Sequence, residues 1–173
     1  TAGKFVIDGT AQLSFATMLE YAKAFRDCET KAECEIYDFG HINNMALIRD
    51  EFPGKIQLQF VMNMPGQVTK PSVQNMVRLY ELAKDTFGED GFLWGAASAG
   101  FEQWGVLTTA AYMGATTIRA GMEDNIYIEP GVLSKSNGES IEKAVKLARS
   151  VGREIATPEE TVKILGLRNN SIM

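Results

Sequence analysis

The segment Ile118-Arg119-Ala120-Gly121-Met122-Glu123-Asp124-Asn125 brings an arginine and two carboxylates together over a short stretch of chain. Read as a strand, its alternation puts Arg119, Gly121 and Glu123 on one face, with Asp124 just past the strand end. In parallel α/β sheets and barrels that C-terminal rim is where ligands bind, and a charge on a buried strand is costly unless it is paired or used. Rim carboxylates beside an arginine could serve such a ligand site; the plainer reading is a solvated acidic turn closed by a salt bridge. A second group bears on the choice. Glu33, Glu35 and Tyr37 share one face of an earlier candidate strand, and two carboxylates pointing the same way inside a parallel sheet are hard to explain as packing. Glu35 is the deeper of the two, and Glu33 is expected to be exposed at the strand's start.

Other reactive side chains carry weaker signals. His41 is the only histidine, so this sequence cannot supply a two-histidine metal site, and its expected role is a hydrogen bond in the loop before a helix. Asn43 and Asn44 read as loop or cap residues. Ser98-Ala99-Gly100 could let backbone N–H groups approach an anion at a helix start, but such a run more commonly makes a tight strand-to-helix turn. Cys28 and Cys34 lie six apart, which is neither a CxxC pair nor a disulfide framework, and both read as packed thiols.

The elements that would position these residues alternate in type. From Leu13, the apolar residues Phe15, Met18, Leu19, Ala22 and Phe25 predict an amphipathic helix ending near Glu29. A strand over Ala32–Asp38 follows, then a short helix from about Asn43 to Arg49 and a buried strand over Ile56–Met62. Val73, Met76, Val77, Tyr80, Ala83 and Phe87 mark a helix ended by Gly88. Next come a strand over Phe92–Ala97, a helix over Gln103–Met113 and a strand over Thr116–Ala120. Ser136 and Glu139 have capping-box spacing before another helix, and Thr157-Pro158-Glu159-Glu160 opens a last short one. Strands separated by helices imply parallel pairing, hence an α/β class. Pattern alone fits either a small open sheet or half of a barrel.

Bulk properties narrow the partners. The 173 residues are 45% apolar and 23% charged, enough for one core, and 1–173 reads as a single domain. A net charge of −5 with scattered lysines and arginines gives no stripe to follow a phosphate backbone, so nucleic acid is not expected. No apolar run approaches the roughly 20 residues of a bilayer span, and Thr1–Thr10 does not read as a signal peptide. No membrane partner and a cytoplasmic location are the expectations. No Rossmann glycine fingerprint or Walker loop is present.

Three stretches carry a resemblance: IRAGMEDN (Ile118 to Asn125), ECEIYDFGH (Glu33 to His41) and SNGESIEKAVKLARSVGREIATPEETVKILGL (Ser136 to Leu167). In them the chain resembles the β-keto acid cleavage enzymes. The resemblance implies a TIM (β/α)8 barrel, of which this chain would supply roughly strands five to eight and the C-terminal helices, with an N-terminal half-barrel segment coming from elsewhere. It implies a metal-dependent reaction in which a β-keto acid and acetyl-CoA, as co-substrate, give acetoacetate and a new CoA thioester. Zn2+ would be the metal, with Glu123 matching a ligand and the histidine ligands lying in the absent half. Asp124 matches the general base, Arg119 an arginine that stabilises negative charge, and Glu35 a glutamate that orients it.

The chain departs from the family's pattern at Ser98-Ala99-Gly100-Phe101, where relatives often read Gly-x-Gly-Arg; an apolar Phe101 would favour an uncharged or bulkier keto acid. A half-barrel would expose an inner face and two strand edges, so a homo-oligomer is expected. Two other readings stand beside the first: a non-catalytic half-barrel that self-associates, and another metal-dependent barrel aldolase or lyase.

Overall fold

A computed structural model of the chain describes residues 14–66 and 69–168. Leu13, the expected start of the first helix, and Thr1–Thr10 lie outside the described residues. Helix α1 spans Phe15–Asp27, opened by Ser14, whose hydroxyl accepts from the Thr17 N–H. It leads to β1 (Glu33–Ile36), α2 (Phe39–Ala46), a 3₁₀ turn (Arg49–Glu51), β2 (Ile56–Met62), α3 (Val73–Phe87), β3 (Phe92–Ser98), α4 (Gln103–Tyr112) and β4 (Thr117–Ile118). A hairpin of β5 (Tyr127–Glu129) and β6 (Val132–Leu133) follows, then α5 (Asn137–Ser150) and α6 (Pro158–Leu165).

The four strands β1 to β4 pair in parallel and in chain order. Sequential order with connections of one hand puts every crossover helix on the same side of the sheet. The core shows this directly. Cys34 and Ile36 of β1, Ile56, Leu58, Phe60 and Met62 of β2, Phe92, Trp94 and Ala96 of β3, and Ile118 of β4 pack into one cluster with residues of α1, α2, α3 and α4. Trp94 anchors it, with Phe60 at 5.5 Å and Tyr80 at 5.3 Å between ring centroids.

By the two-residue period, the intervening positions face away from those helices. They read Glu33, Glu35 and Tyr37; Gln57, Gln59 and Val61; Leu93, Gly95 and Ala97; Thr117 and Arg119. The side of the sheet without crossover helices is thus the polar one. Its rows follow the register: Glu35 lies opposite Gln59, Gln59 opposite Gly95, and Gly95 opposite Thr117. A Cβ on Gly95 would lie 2.1 Å from Thr117 Oγ1 and 2.3 Å from Gln59 Oε1, so glycine is what lets these neighbours close over β3.

Several elements differ from expectation. The second helix begins at Phe39, not Asn43, because Asp38 caps it by accepting from the His41 N–H at 3.1 Å. His41, Asn43 and Asn44 therefore sit inside α2. The last parallel strand is confined to Thr117–Ile118, since Gly121 to Asp124 fold into a turn instead of prolonging it. The β5–β6 hairpin was not expected; its turn uses Pro130 and Gly131, the latter at φ +76°. At Ser136 the hydroxyl caps α5, but the Glu139 carboxylate turns to the Lys135 N–H at 2.6 Å and leaves that box half made. The box at Thr157 and Glu160 is complete.

Among the described residues no helix is long and apolar enough to cross a membrane. Helix α5 packs on α4, where the Lys143 ammonium lies 4.5 Å from the Trp104 ring centroid. The Trp104 indole N–H donates to the Tyr127 carbonyl at 3.2 Å, joining the hairpin to the same layer.

Candidate active site

Arg119 follows β4 directly, and its N–H continues the ladder by donating to the Ala96 carbonyl at 3.0 Å. The backbone is thereby fixed, and the side chain leaves from the polar side. Three carboxylates meet it. Asp124 binds in a fork, with Nε to Oδ2 at 2.9 Å and Nη2 to Oδ1 at 3.0 Å. Glu35 Oε1 accepts from Nη1 at 2.7 Å, and Glu123 Oε2 accepts from Nη2 at 3.1 Å. Two-point arginine–carboxylate pairing of the Asp124 kind fixes both orientation and charge.

The Glu35 contact spans the sheet. On a flat sheet β1 and β4 would be three strand spacings apart, roughly 14 Å, too far for side chains standing upright from it. Twist and curl bring the two together over the small residues Gly95 and Ala97 of β3, so the polar face is concave at this rim.

The three acids differ in burial. The Asp124 side chain is 2% exposed, Glu35 37% and Glu123 78%, against 31% for Arg119. Burial raises the Asp124 carboxyl above its ordinary value of 3.8, against the pull of Arg119, while Glu123 and Glu35 push it further up. Burial opposes the charge on Arg119, yet bonding to Asp124 and Glu35 holds its pKa above the ordinary value. Asp124 is thus an ionisable base sheltered from water beside a permanent cation.

The loop carrying Asp124 is held by its own backbone. Asp124 N–H donates to the Gly121 carbonyl at 3.3 Å, and the Asn125 N–H to the same oxygen at 3.0 Å. Gly100 N–H donates to the Asp124 carbonyl at 2.8 Å, and Asn137 Oδ1 accepts from the Met122 N–H at 2.8 Å. These contacts decide the reading of Ser98-Ala99-Gly100. The Ala99 N–H donates to Met62 and the Gly100 N–H to Asp124, so the turn serves the loop and neither group is free for an anion. Phe101 beyond it lines a groove of about 410 Å3 with Pro71, Val73 and Trp104, apart from the groups that touch Arg119.

The structure brings Arg119, Asp124, Glu35 and Glu123 together. Glu123 reaches the cluster from a turn, and among the described residues its other carboxylate oxygen has no hydrogen-bond partner. Glu33 is exposed, as expected, but accepts from Gln57 Nε2 at 2.7 Å; burial raises its carboxyl above the ordinary value, with Glu35 adding to the rise. His41 stands apart, its Nδ1 accepting from the Tyr37 N–H at 3.3 Å. Tyr37 was missed as a site residue. Its hydroxyl donates to Glu35 Oε2, and the signal for it was its place two residues beyond Glu35 on the same face.

Among the described residues no three histidine, cysteine or acidic side chains gather so as to hold a metal ion. Glu123 offers one ligand. The residues described here do not by themselves fit a zinc site.

Comparison with known proteins identifies relatives. Residues 1–167 match the family described as beta-keto acid cleavage enzyme. The 3-keto-5-aminohexanoate cleavage enzyme of Fusobacterium nucleatum is 36% identical over 156 residues, covering 88% of this chain and 53% of the relative. The enzyme of the same name from Acetoanaerobium sticklandii is 36% identical over 154 residues, covering 87% and 53%. A 3,5-dioxohexanoate:acetyl-CoA acetone transferase of Paraburkholderia graminis is 28% identical over 141 residues, covering 80% and 44%. The chain spans about half the length of the curated relatives it matches. The parallel α/β sheet fits that match, and the chain belongs to the beta-keto acid cleavage enzyme family.

Proposed function

We propose that residues 1–173 form the C-terminal part of a TIM (β/α)8-barrel domain, roughly strands five to eight, whose site converts a β-keto acid and acetyl-CoA into acetoacetate and a new CoA thioester. The names of the relatives support the reaction class: one is a 3,5-dioxohexanoate:acetyl-CoA acetone transferase, and another a 3-oxoadipate:acetyl-CoA acetyltransferase. The single observation that carries the reading is Arg119 at the C-terminal rim, gripped by the buried Asp124 and by Glu35 from the far edge of the sheet.

The reaction balances without net hydrolysis. R–CO–CH2–COO⁻ and CH3–CO–SCoA give R–CO–SCoA and CH3–CO–CH2–COO⁻, so the –CH2–COO⁻ unit moves from one acyl carbon to the other. It requires a base to take a proton from the carbon between the carbonyl and the carboxylate, and a cation to balance the resulting charge. Asp124 is the base. Burial makes it stronger than an ordinary aspartate, and the proton goes to a lone pair that Arg119 does not occupy. Arg119 is the cation, and Glu35 holds its free edge in place. Zn2+ with Glu123 as one ligand belongs to this reading, the other ligands and the remaining strands coming from polypeptide beyond the described residues.

Among the described residues β1 and β4 are edge strands, and these edges with the polar concave face favour closure by further strands, with a homo-oligomer as one way to supply them. Native mass spectrometry of the purified protein tests the assembly: a partner segment and zinc are expected. Two-fold pairing of like chains without metal or acetyl-CoA-dependent turnover would instead identify a non-catalytic, self-associating half-barrel. Turnover of a keto acid without acetyl-CoA would identify another aldolase or lyase.

A further inference from the structure

Glu35 has two carboxylate oxygens, and the reading above uses one of them. Oε1 faces Arg119; Oε2 accepts from the Tyr37 hydroxyl. A carboxylate on a long side chain that is more than a third exposed has rotamers to spare, so an arginine contact at one oxygen leaves it free to swing. The phenol closes the other side.

Tyr37 is itself held at three points. Its N–H donates to His41 Nδ1 at 3.3 Å, and its carbonyl accepts from the Thr69 hydroxyl at 2.6 Å. Its ring meets the His41 imidazole edge-on, with centroids 5.9 Å apart. His41 is in turn fixed by the Asp38 cap at the start of α2. A continuous path therefore runs from the α2 N-terminus through Tyr37 and Glu35 to the guanidinium.

We propose that Tyr37 is a positioning residue of this site, acting through Glu35 to hold Arg119 in the orientation in which it meets developing negative charge. The inference rests on the function proposed above, but its first readout does not. Tyr37 touches no reacting atom in this account and carries no proton in the reaction. Its phenol also stays neutral, because burial and its bond to Glu35 both raise its pKa, so the donor persists across the working range of pH. The ECEIY pattern explains its position: in a strand, only a residue two places beyond Glu35 shares its face one step nearer the rim.

The test is Tyr37→Phe, which keeps the ring and removes the donor. In the full chain, the Arg119 Nε–H signal in a 1H–15N NMR spectrum, identified by its loss in Arg119→Lys, is expected to shift and to exchange with solvent at least 5-fold faster. Glu35→Gln should do the same, and the double variant should match Glu35→Gln alone. In the assembled enzyme, kcat is expected to fall about 10-fold with KM nearly unchanged. A purely structural role would lower Tm and leave the arginine signal untouched. That result, or additive effects in the double variant, overturns the proposal. Should Tyr37→Phe not fold, 3-fluorotyrosine at position 37 supplies the reading: its 19F resonance must move on Glu35→Gln, and an unmoved resonance is equally contrary. Loss of the arginine signal's protection without any acetyl-CoA turnover would sustain the positioning role while removing the reaction.

Discussion

Replacing Arg119 by leucine should expose what the cluster is worth. Asp124 is 2% exposed at its side chain and among the described residues has Arg119 as its only cationic partner, so the variant leaves a carboxylate buried without that counter-charge. Breaking such a pair from one side costs about 3–5 kcal/mol. Because Arg119 is itself 31% exposed, the lower end applies, about 3 kcal/mol. Glu35 and Glu123 are more exposed than the arginine, and each such pair contributes about 0–1 kcal/mol. The expected loss is therefore about 3–5 kcal/mol at pH 7, read by urea denaturation. It should depend on pH in one direction. Without its cation, the Asp124 carboxyl is raised further, so the folded chain binds a proton that the unfolded chain, at about 3.8, does not. Stability of the variant then rises as pH falls from 7 through that raised value, and the deficit shrinks. Adding Asp124→Asn should recover about 2 kcal/mol, since neither partner is then charged. A variant within about 1 kcal/mol of wild type, or a loss independent of pH, would refute the argument that burial of Asp124 dominates the cluster.

Other outcomes follow from the same geometry. Cys34, whose thiol burial pushes up to about 12 with Glu33 adding to the rise, should react with a thiol reagent at pH 8 far more slowly than the exposed Cys28; two equally fast thiols would contradict this. Gly95→Ala should cost on the order of 3 kcal/mol, because its Cβ would collide with Thr117 and Gln59, and a melting temperature equal to wild type would show that the row can open. In a 13C-carboxyl NMR titration of the wild type, Asp124 should have its midpoint above 3.8, and its ionisation should lower stability as pH rises through that midpoint; a midpoint below 3.8 would mean that Arg119 outweighs burial.

Local rules carried much of the fold. Apolar periodicity located α3 at Val73–Phe87, and a β-rich, mostly apolar run after the Pro53-Gly54 turn located β2 at Ile56–Met62, both with the bounds the structure has. The start of α2 was missed because Asp38 reads as a turn residue until its carboxylate is seen capping the His41 N–H. The β5–β6 hairpin was missed because its strands are two and three residues long, though Pro130-Gly131 between Ile128 and Val132 was a readable turn. Strand alternation gave Arg119 and Glu35 each a face of its own strand, but alternation is silent about curl, and curl is what joins β1 to β4. For Glu123 the same rule failed in detail. The chain turns after Ala120, so this side chain arrives at the cluster from outside the sheet and stays largely in water.

The chemistry is tested most directly by following one label. With acetyl-CoA carrying 13C in its acetyl group and a β-keto acid as second substrate, the assembled enzyme should move both labelled carbons into carbons 3 and 4 of acetoacetate, leaving the unlabelled acyl group on CoA. Asp124→Asn should bind both substrates and transfer no label. Label released as acetate, or transfer undiminished in Asp124→Asn, would contradict the account.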